Sequence, residues 1–101
     1  MLYLSGELPF DEAGKIPEGI TAQTDLTLNR IAATLAAEGL GLDDIISCTV
    51  YLADRADFQA FNEAYARHFA DPRPVRTTVE ARLMIEAKVE ITAIARAHAG
   101  E

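Results

Sequence analysis

The sequence is short of positive charge: nine Lys and Arg stand against sixteen Asp and Glu, which gives a formal net charge of −7. Proteins that bind nucleic acid over a broad surface neutralise its phosphates with clustered Lys and Arg. The acidic residues here are spread along the whole chain, so the composition argues against nucleic acid as a partner. Seven of the nine cations lie from Arg55 to Arg96, and a small basic hollow is compatible with that distribution.

Long apolar segments are missing as well. No run reaches the roughly 20 residues that a membrane-spanning helix needs, and Met1 to Glu7 lacks the basic flank and apolar stretch of a signal peptide. We therefore expect a cytoplasmic protein that does not contact membranes. With 101 residues, 50% hydrophobic and 25% charged, the chain has the size and composition of one globular domain spanning residues 1–101.

Side chains that commonly act as metal ligands or nucleophiles are few. Cys48, the single cysteine, cannot form an intramolecular disulfide, and its place in the apolar run Ile45–Leu52 predicts a buried, inert thiol. The histidines are His68 and His98, and no metal-ligand spacing, phosphate-binding loop or Ser-His-Asp arrangement accompanies them. We expect His68 to complete the C-terminus of a helix, with a ligand or base role as the alternative. His98 is expected in a solvated tail, and the residues predict no metal site.

Hydrophobic periodicity predicts an α+β domain with the element order β-α-β-α-β-β. The predicted elements are a strand over 1–6, a helix from about Thr21 to Glu38, a strand from Ile45 to Leu52, a helix after Asp54, and strands from Thr77 to Leu83 and from Lys88 to Arg96. The bend from Met84 to Ala87 suits a hairpin between the last two strands. Both helices can cover one face of the sheet, and the mixed composition of the second face indicates cover in an oligomer.

Two stripes of residues identify the helix faces expected to pack on the sheet. The first helix repeats apolar residues at helical spacing, namely Leu28, Ile31, Ala32 and Leu35. Gly39 supplies its stop signal, and Asp54 is the expected N-cap of the second helix. The stripe of the second helix is Phe58, Phe61, Tyr65 and Phe69. Aromatic residues at this spacing form core more often than a ligand site.

Two charged residues near the C-terminal strands are candidates for chemistry. Arg76 stands where the chain enters a strand, and a guanidinium held there can grip a carboxylate bidentately, with an exposed surface arginine as the alternative. Glu90 interrupts an apolar strand, where it either faces solvent or serves as an acid, a base or a water-positioning group. Ser5 and Gly6 can add a hydroxyl and a closely approached backbone N–H.

Several segments resemble the conserved pattern of a known family. Leu4 to Pro9 is similar to its S-G-Q-x-P segment, and Phe58 to Tyr65 to its F-x-x-x-N-x-x-Y helix. Pro74 to Val79, followed by Val89 to Ala95, is similar to its P-x-R-(S/T)-x-V … (I/V)-E-(I/V)-x-A-(I/V)-A signature. On these segments the chain resembles the RidA family (reactive intermediate deaminase, YjgF-like, also labelled endoribonuclease L-PSP) over nearly all of its length.

The resemblance implies a chorismate-mutase-like fold, a homotrimer with ligand pockets at the subunit boundaries, and no metal or organic cofactor. Arg76 would grip the substrate carboxylate, and Glu90 would position or activate the attacking water. Lining the pocket would be Ser5, Gly6, the backbone of Thr78 and, nearby, Asn62. The implied reaction is hydrolysis of a 2-imino acid or its enamine tautomer, such as 2-aminoacrylate, to a 2-oxo acid and ammonia. This is the activity of a 2-iminobutanoate/2-iminopropanoate deaminase.

The chain departs from the family pattern in three places. The tyrosine that family members carry upstream of Ser5 has no counterpart in residues 1–101, so we expect either a naturally short protein or a more open pocket. The strand pattern is one residue shorter between Glu80 and Ala81, so a bulge or its loss is expected before Glu90. Thr78 stands where well-known members carry a cysteine.

Two other functions stay open at this point. A non-catalytic trimeric module that binds a small carboxylate-bearing metabolite would use Arg76 in the same way without turning over an imine. An endoribonuclease is disfavoured by the charge balance, since phosphate binding requires clustered positive charge.

Overall fold

The computed structural model describes residues 1–97 and has the predicted element order. Its elements are β1 (Leu2–Tyr3), α1 (Ile20–Ala36), β2 (Ile45–Leu52), α2 (Phe58–Ala66), β3 (Val75–Glu80) and β4 (Val89–Ala95). Short 3-10 helices precede β2 at Leu42–Asp44 and α2 at Arg55–Asp57. Both helices pack on one face of a four-stranded mixed sheet, which confirms the α+β fold. The expectation for His98 lies outside the described residues.

The strands are arranged in the order β1-β4-β2-β3, and this order contradicts the predicted hairpin. β2 pairs in parallel with β3 and antiparallel with β4, so it separates the two strands that we expected to be neighbours. The reason is that β2-α2-β3 forms a crossover unit, in which a helix joins two parallel strands. The segment after β3 then passes the end of β2, where Ala81 N donates to Leu52 O and Ala53 N donates to Lys88 O.

Local signals set the helix ends. α1 follows Gly19, whose φ is 88°, and ends two residues before the predicted Glu38. Gly39 then takes a φ of 74°, a left-handed conformation that glycine adopts without strain, as the stop signal predicted. Asp54 caps the turn that leads into α2, because its side chain accepts a hydrogen bond of 2.9 Å from Ala56 N.

The core lies between the helices and one face of the sheet. The predicted stripe of α1 is buried at Leu28, Ile31 and Leu35, whereas Ala32 is half-buried. Alternate residues of β2 and β4 meet it: Cys48, Val50, Leu52, Val89, Ile91, Ala93 and Ala95. The other face of the sheet is open in one chain, with half-buried Thr49, Tyr51 and Thr92 and exposed Val79.

His68 does not complete the C-terminus of its helix as expected. Its Nε2 lies 2.7 Å from Asp25 Oδ1, so the ring joins the end of α2 to α1. Arg67 reaches the same carboxylate, with Nη2 at 3.6 Å from Asp25 Oδ2. The expectation failed because it considered one helix alone, whereas the packing of α2 against α1 supplies a stronger partner than the terminal carbonyls.

Cys48 is 1% exposed, which confirms the prediction of a buried thiol. Within residues 1–97, no helix has the length and apolarity that a bilayer crossing requires.

Candidate functional site

Arg76 lies inside β3, because that strand begins at Val75, two residues before the predicted Thr77. Its register partner in β2 is Cys48, a core residue, so the Arg76 side chain is on the helix face of the sheet. There its Cζ is 4.8, 5.3 and 5.9 Å from the ring centroids of Tyr65, Phe61 and Phe58. Arg76 is therefore a half-buried residue held by three aromatic rings and not a free surface arginine.

Asn62 is the hydrogen-bond partner that orients this guanidinium. Arg76 Nη2 donates to Asn62 Oδ1 over 2.8 Å. The partner is neutral, and among the ion pairs of residues 1–97 none involves Arg76. Because a guanidinium has five N–H donors, most of its hydrogen-bonding capacity remains for an anion. The structure thus brings the predicted site residues Arg76 and Asn62 together, and the positive charge of Arg76 has no carboxylate partner among residues 1–97.

An open cleft of about 370 Å³ lies over the Arg76 guanidinium. It is lined by Asn62, Tyr65, Ala66, Arg73, Pro74 and Arg76. Two guanidiniums and one carboxamide supply its polar groups, and no carboxylate lines it. A cleft of this size and charge suits a small anion.

Tyr65 and Cys48 form the neutral floor beneath this positive charge. Burial raises the pKa of the Cys48 thiol and outweighs the neighbouring Arg76, which lowers it. Burial also raises the pKa of the Tyr65 hydroxyl, which faces that thiol. Both groups stay protonated at neutral pH, so Cys48 is not a thiolate nucleophile and the positive charge over it is not cancelled.

Thr78 follows Arg76 on the same face of β3, opposite Val50 of β2. Its hydroxyl is buried and finds no hydrogen-bond partner among the described residues. A second, smaller hollow of about 190 Å³ adjoins it, lined by Leu52, Arg55, Phe58, Thr78, Val79 and Glu80. Phe58 therefore borders this hollow and also contacts Arg76. The Thr78 hydroxyl is therefore a buried polar group without a partner at the border of this hollow.

Glu90 lies on the opposite face of the sheet from Arg76. Its register partner in β2 is Tyr51, which alternates with the buried core residues Val50 and Leu52. The side chain is half-buried, so it is neither fully solvated nor enclosed. The register of β3 with β2 runs from Val75 to Glu80 without a bulge, and a loop follows directly after Glu80.

Gly6 lies beside Glu90, and Ser5 precedes it where the chain runs along β4. Leu4 N donates to Ala93 O and Glu7 N donates to Ile91 O, so Ser5 and Gly6 together face one residue of β4 in a bulge-like arrangement. Gly6 packs directly against the Glu90 carboxylate, and a Cβ at this position would overlap Glu90 Oε2. Glycine therefore leaves room for the Glu90 carboxylate in this position, and a larger residue would displace it.

The six predicted site residues thus form two groups within one chain. Arg76, Asn62 and Thr78 lie on the helix face near β3, and Ser5, Gly6 and Glu90 lie at β4 with the Glu90 side chain on the open face. Sequence reasoning missed Arg73 and assigned the aromatic stripe of α2 to the core alone. Three of its four rings also contact Arg76. The feature of the sequence that could have indicated this contact is the aromatic stripe together with an arginine a short distance along the chain.

Metal chemistry receives no support from the part of the chain that the structure describes. Among residues 1–97, no three His, Cys, Asp or Glu side chains are grouped closely enough to hold a metal ion.

Comparison with known proteins identifies the family to which this chain is similar. The family model described as Endoribonuclease L-PSP matches residues 1–97. The RutC family protein SSO3206 of Saccharolobus solfataricus is 41% identical over 99 residues, covering 95% of this chain and 79% of that protein. Reactive Intermediate Deaminase A, chloroplastic, of Arabidopsis thaliana is 39% identical over 98 residues, covering 94% of this chain and 52% of that protein. The crystal structure of E. coli TdcF with bound serine superposes with a TM-score of 0.89 at 36% identity, covering 95% of this chain and 78% of that chain.

Proposed function

This chain belongs to the endoribonuclease L-PSP family, whose members include proteins named reactive intermediate deaminases, and we propose that it hydrolyses 2-imino acids or their enamine tautomers to 2-oxo acids and ammonia. The Arg76 guanidinium is the observation that carries this proposal. It is fixed by Asn62 and three aromatic rings, it opens into a cleft, and it pairs with no acidic group among residues 1–97. Such a group is organised in advance for a carboxylate.

The proposed substrates share one feature, a carboxylate next to the reacting carbon. With that carboxylate on Arg76, the imine carbon is held in a defined place over the cleft. The solved relative TdcF was crystallised with serine, which also carries a carboxylate next to an amino-bearing carbon. This agreement in ligand chemistry supports the assignment of Arg76 as the substrate-binding group.

The chemical step needs an oriented water more than a strong nucleophile. Water adds to the electrophilic C=N carbon, the C–N bond breaks, and ammonia leaves as the C=O bond forms. Glu90 is proposed to accept the proton of the attacking water and to return it to the departing nitrogen. Orientation of the water and the imine supplies most of the acceleration.

Glu90 and Arg76 face opposite sides of the sheet, so we propose that a second copy of the chain completes each site. The open sheet face carries the half-buried Glu90 and exposed apolar Val79, which is 41% exposed. A homotrimer built on this face would cover those side chains. It would also allow Glu90 of one subunit to meet Arg76 of the next.

Release of ammonia from freshly generated 2-aminoacrylate tests the proposal. We expect wild type to accelerate this release and Arg76→Ala to lose about 10- to 100-fold in kcat/KM, the range expected for losing a hydrogen-bonded charged partner. Arg76→Lys should recover part of the loss, because it keeps the charge without the planar fork. Lys15→Ala removes an exposed positive charge in the loop before α1, outside the residues that line the cleft, and should keep the wild-type rate. Equal rates for wild type and folded Arg76→Ala would refute the role of Arg76.

A module that binds carboxylates without turning over imines is the second candidate. The observation in its favour is that the Arg76 cleft lies within one chain, whereas Glu90 is on the other sheet face. Calorimetry with 2-oxobutyrate separates the two functions. Binding that depends on Arg76, together with no ammonia release from any imine, would select the binding module over the deaminase.

A further inference from the structure

Arg73 brings a second guanidinium to the cleft that Arg76 occupies. It lies three residues before Arg76, and both line the same 370 Å³ space with Asn62 and Tyr65. Both also lower the pKa of the Tyr65 hydroxyl, against the larger effect of burial, so both positive charges act on one point of the cleft. Two guanidiniums therefore share this cleft.

Neither guanidinium has a carboxylate partner within residues 1–97. Among residues 1–97, the Lys and Arg side chains that pair with carboxylates are Arg30, Arg67, Lys88 and Arg96. Arg73 and Arg76 are not among them, although the chain carries sixteen acidic residues and a net charge of −7. Two like charges in one cleft repel each other, and an anion that reaches both relieves this repulsion. Two of the Lys and Arg side chains that have no carboxylate partner among residues 1–97 therefore lie together at this cleft.

We propose that this cleft takes substrates with two negative charges, with the carboxylate next to the reacting carbon on Arg76 and a side-chain carboxylate on Arg73. The inference rests on the proposed function, and it names the substrate class as 2-imino dicarboxylates and their 2-oxo products.

The backbone around Arg73 favours this arrangement. Pro72 and Pro74 flank it, and each proline restricts its own φ and the conformation of the residue before it, so the position of Arg73 is partly fixed before a ligand binds. Three residues of extended chain span at most about 10 Å, and a five-carbon dicarboxylate with flexible arginine side chains bridges a separation of that order. The cleft volume accommodates a molecule of this size.

Arg73 is exposed, whereas Arg76 is half-buried against aromatic rings. The two charges therefore have different roles. Arg76 binds the carboxylate that all of the substrates share. Arg73, at the exposed side of the cleft, distinguishes substrates with a second carboxylate from those without one. Because an exposed ion pair is screened by solvent and salt, its effect on affinity is about two- to fivefold.

Calorimetric titration with two matched ligands tests this inference. 2-Oxoglutarate and 2-oxopentanoate have the same number of carbons and differ in the distal carboxylate. In low-salt buffer we expect wild type to bind 2-oxoglutarate about two- to fivefold more tightly. Arg73→Gln should bring the ratio of the two dissociation constants close to one. The dissociation constant of 2-oxopentanoate itself should stay unchanged. Lys15→Gln removes one exposed positive charge elsewhere and should preserve the wild-type ratio.

The outcomes separate this inference from the proposed function. Equal affinity of wild type for both acids, with binding that Arg76→Ala removes, would overturn the role of Arg73 and leave the carboxylate grip intact. A wild-type preference that persists in Arg73→Gln would also overturn it. Failure of wild type to bind either acid would overturn the inference about Arg73, whereas the proposed deaminase function is tested separately by ammonia release from 2-aminoacrylate.

Discussion

Replacing Gly6 with alanine is a test of Glu90 that leaves Glu90 itself in place. A Cβ at Gly6 would overlap Glu90 Oε2, with the carboxylate carbon at 3.1 Å and Glu90 Cγ at 3.4 Å. The overlapping atoms are the far end of a flexible side chain, so the carboxylate can move aside. The substitution therefore displaces a proposed catalytic group without changing its chemistry.

The stability change should be small because two effects oppose each other. Alanine for glycine reduces the conformational freedom of the unfolded chain, which stabilises a protein by about 0.4–1 kcal/mol where the native backbone permits it. Gly6 does not have a positive φ, so its backbone permits alanine. Moving the Glu90 side chain away from its preferred rotamer costs about 0.5–1.5 kcal/mol. The free energy of unfolding should stay within about 1 kcal/mol of wild type.

The effect on turnover should be much larger than the effect on stability. A displacement of about 1 Å in a group that positions a reactant can reduce the rate about 100-fold. We expect Gly6→Ala to lower kcat for ammonia release by about that factor, whereas calorimetric binding of 2-oxobutyrate at Arg76 should change little. Gly41→Ala is the matched control, because Gly41 has an extended backbone with a φ of −136° and a Cβ there meets no atom within 4 Å. It should keep the wild-type rate.

A double-mutant cycle shows whether the loss acts through Glu90. If the loss acts through Glu90, the double variant Gly6→Ala/Glu90→Gln should be no slower than Glu90→Gln alone. The side chain that alanine displaces has already lost its function in that background. Full activity of folded Gly6→Ala would refute the assignment of Glu90. Independent, multiplying losses would show that Gly6 acts by another route.

Two further predictions concern assembly and alkaline pH. Coexpression of the impaired variants Arg76→Ala and Glu90→Gln should restore about a quarter of wild-type activity if each site takes Arg76 and Glu90 from different subunits of a mixed oligomer, and no more than the variants show separately if both come from one chain. Burial raises the pKa of Cys48 above 9.0 and of Tyr65 above 10.0, so the folded protein keeps protons that the unfolded chain releases. Stability should be constant up to about pH 9 and fall above it, by up to about 1.4 kcal/mol per pH unit for each group. Urea titrations from neutral to alkaline pH should show a smaller decline for Cys48→Ala, and identical profiles would contradict this assignment.

The aromatic stripe of α2 shows how one set of residues serves both the core and the site. Phe61 and Tyr65 are 0% and 3% exposed, as expected for core residues. Their rings are also the ones closest to Arg76. Because the face of an aromatic ring attracts a cation, the same packing that stabilises α2 on the sheet holds the guanidinium at the cleft. Core packing and ligand binding are therefore coupled in this helix.

Features that depend on neighbouring residues could be read from the sequence. Helical spacing identified the buried face of α1 at Leu28, Ile31 and Leu35, and alternation identified the core face of β4. Asp54 and Gly39 marked helix ends because their capping roles depend only on local backbone geometry. The family and its signature residues, Arg76 and Glu90 among them, were also recognisable, and the match over residues 1–97 confirms the family.

The tertiary structure alone decided which strands are neighbours and which side chains meet. β3 pairs with β2 rather than β4, and this pairing places Arg76 opposite Cys48 and in contact with α2. The face of a strand changes with every residue of register, so the separation of Arg76 from Glu90 depended on two pairings between distant segments. Such non-local contacts leave no periodic trace in the chain. The sequence by itself determined the elements and the residues of the candidate site, and the packing of those elements determined that these residues occupy two faces.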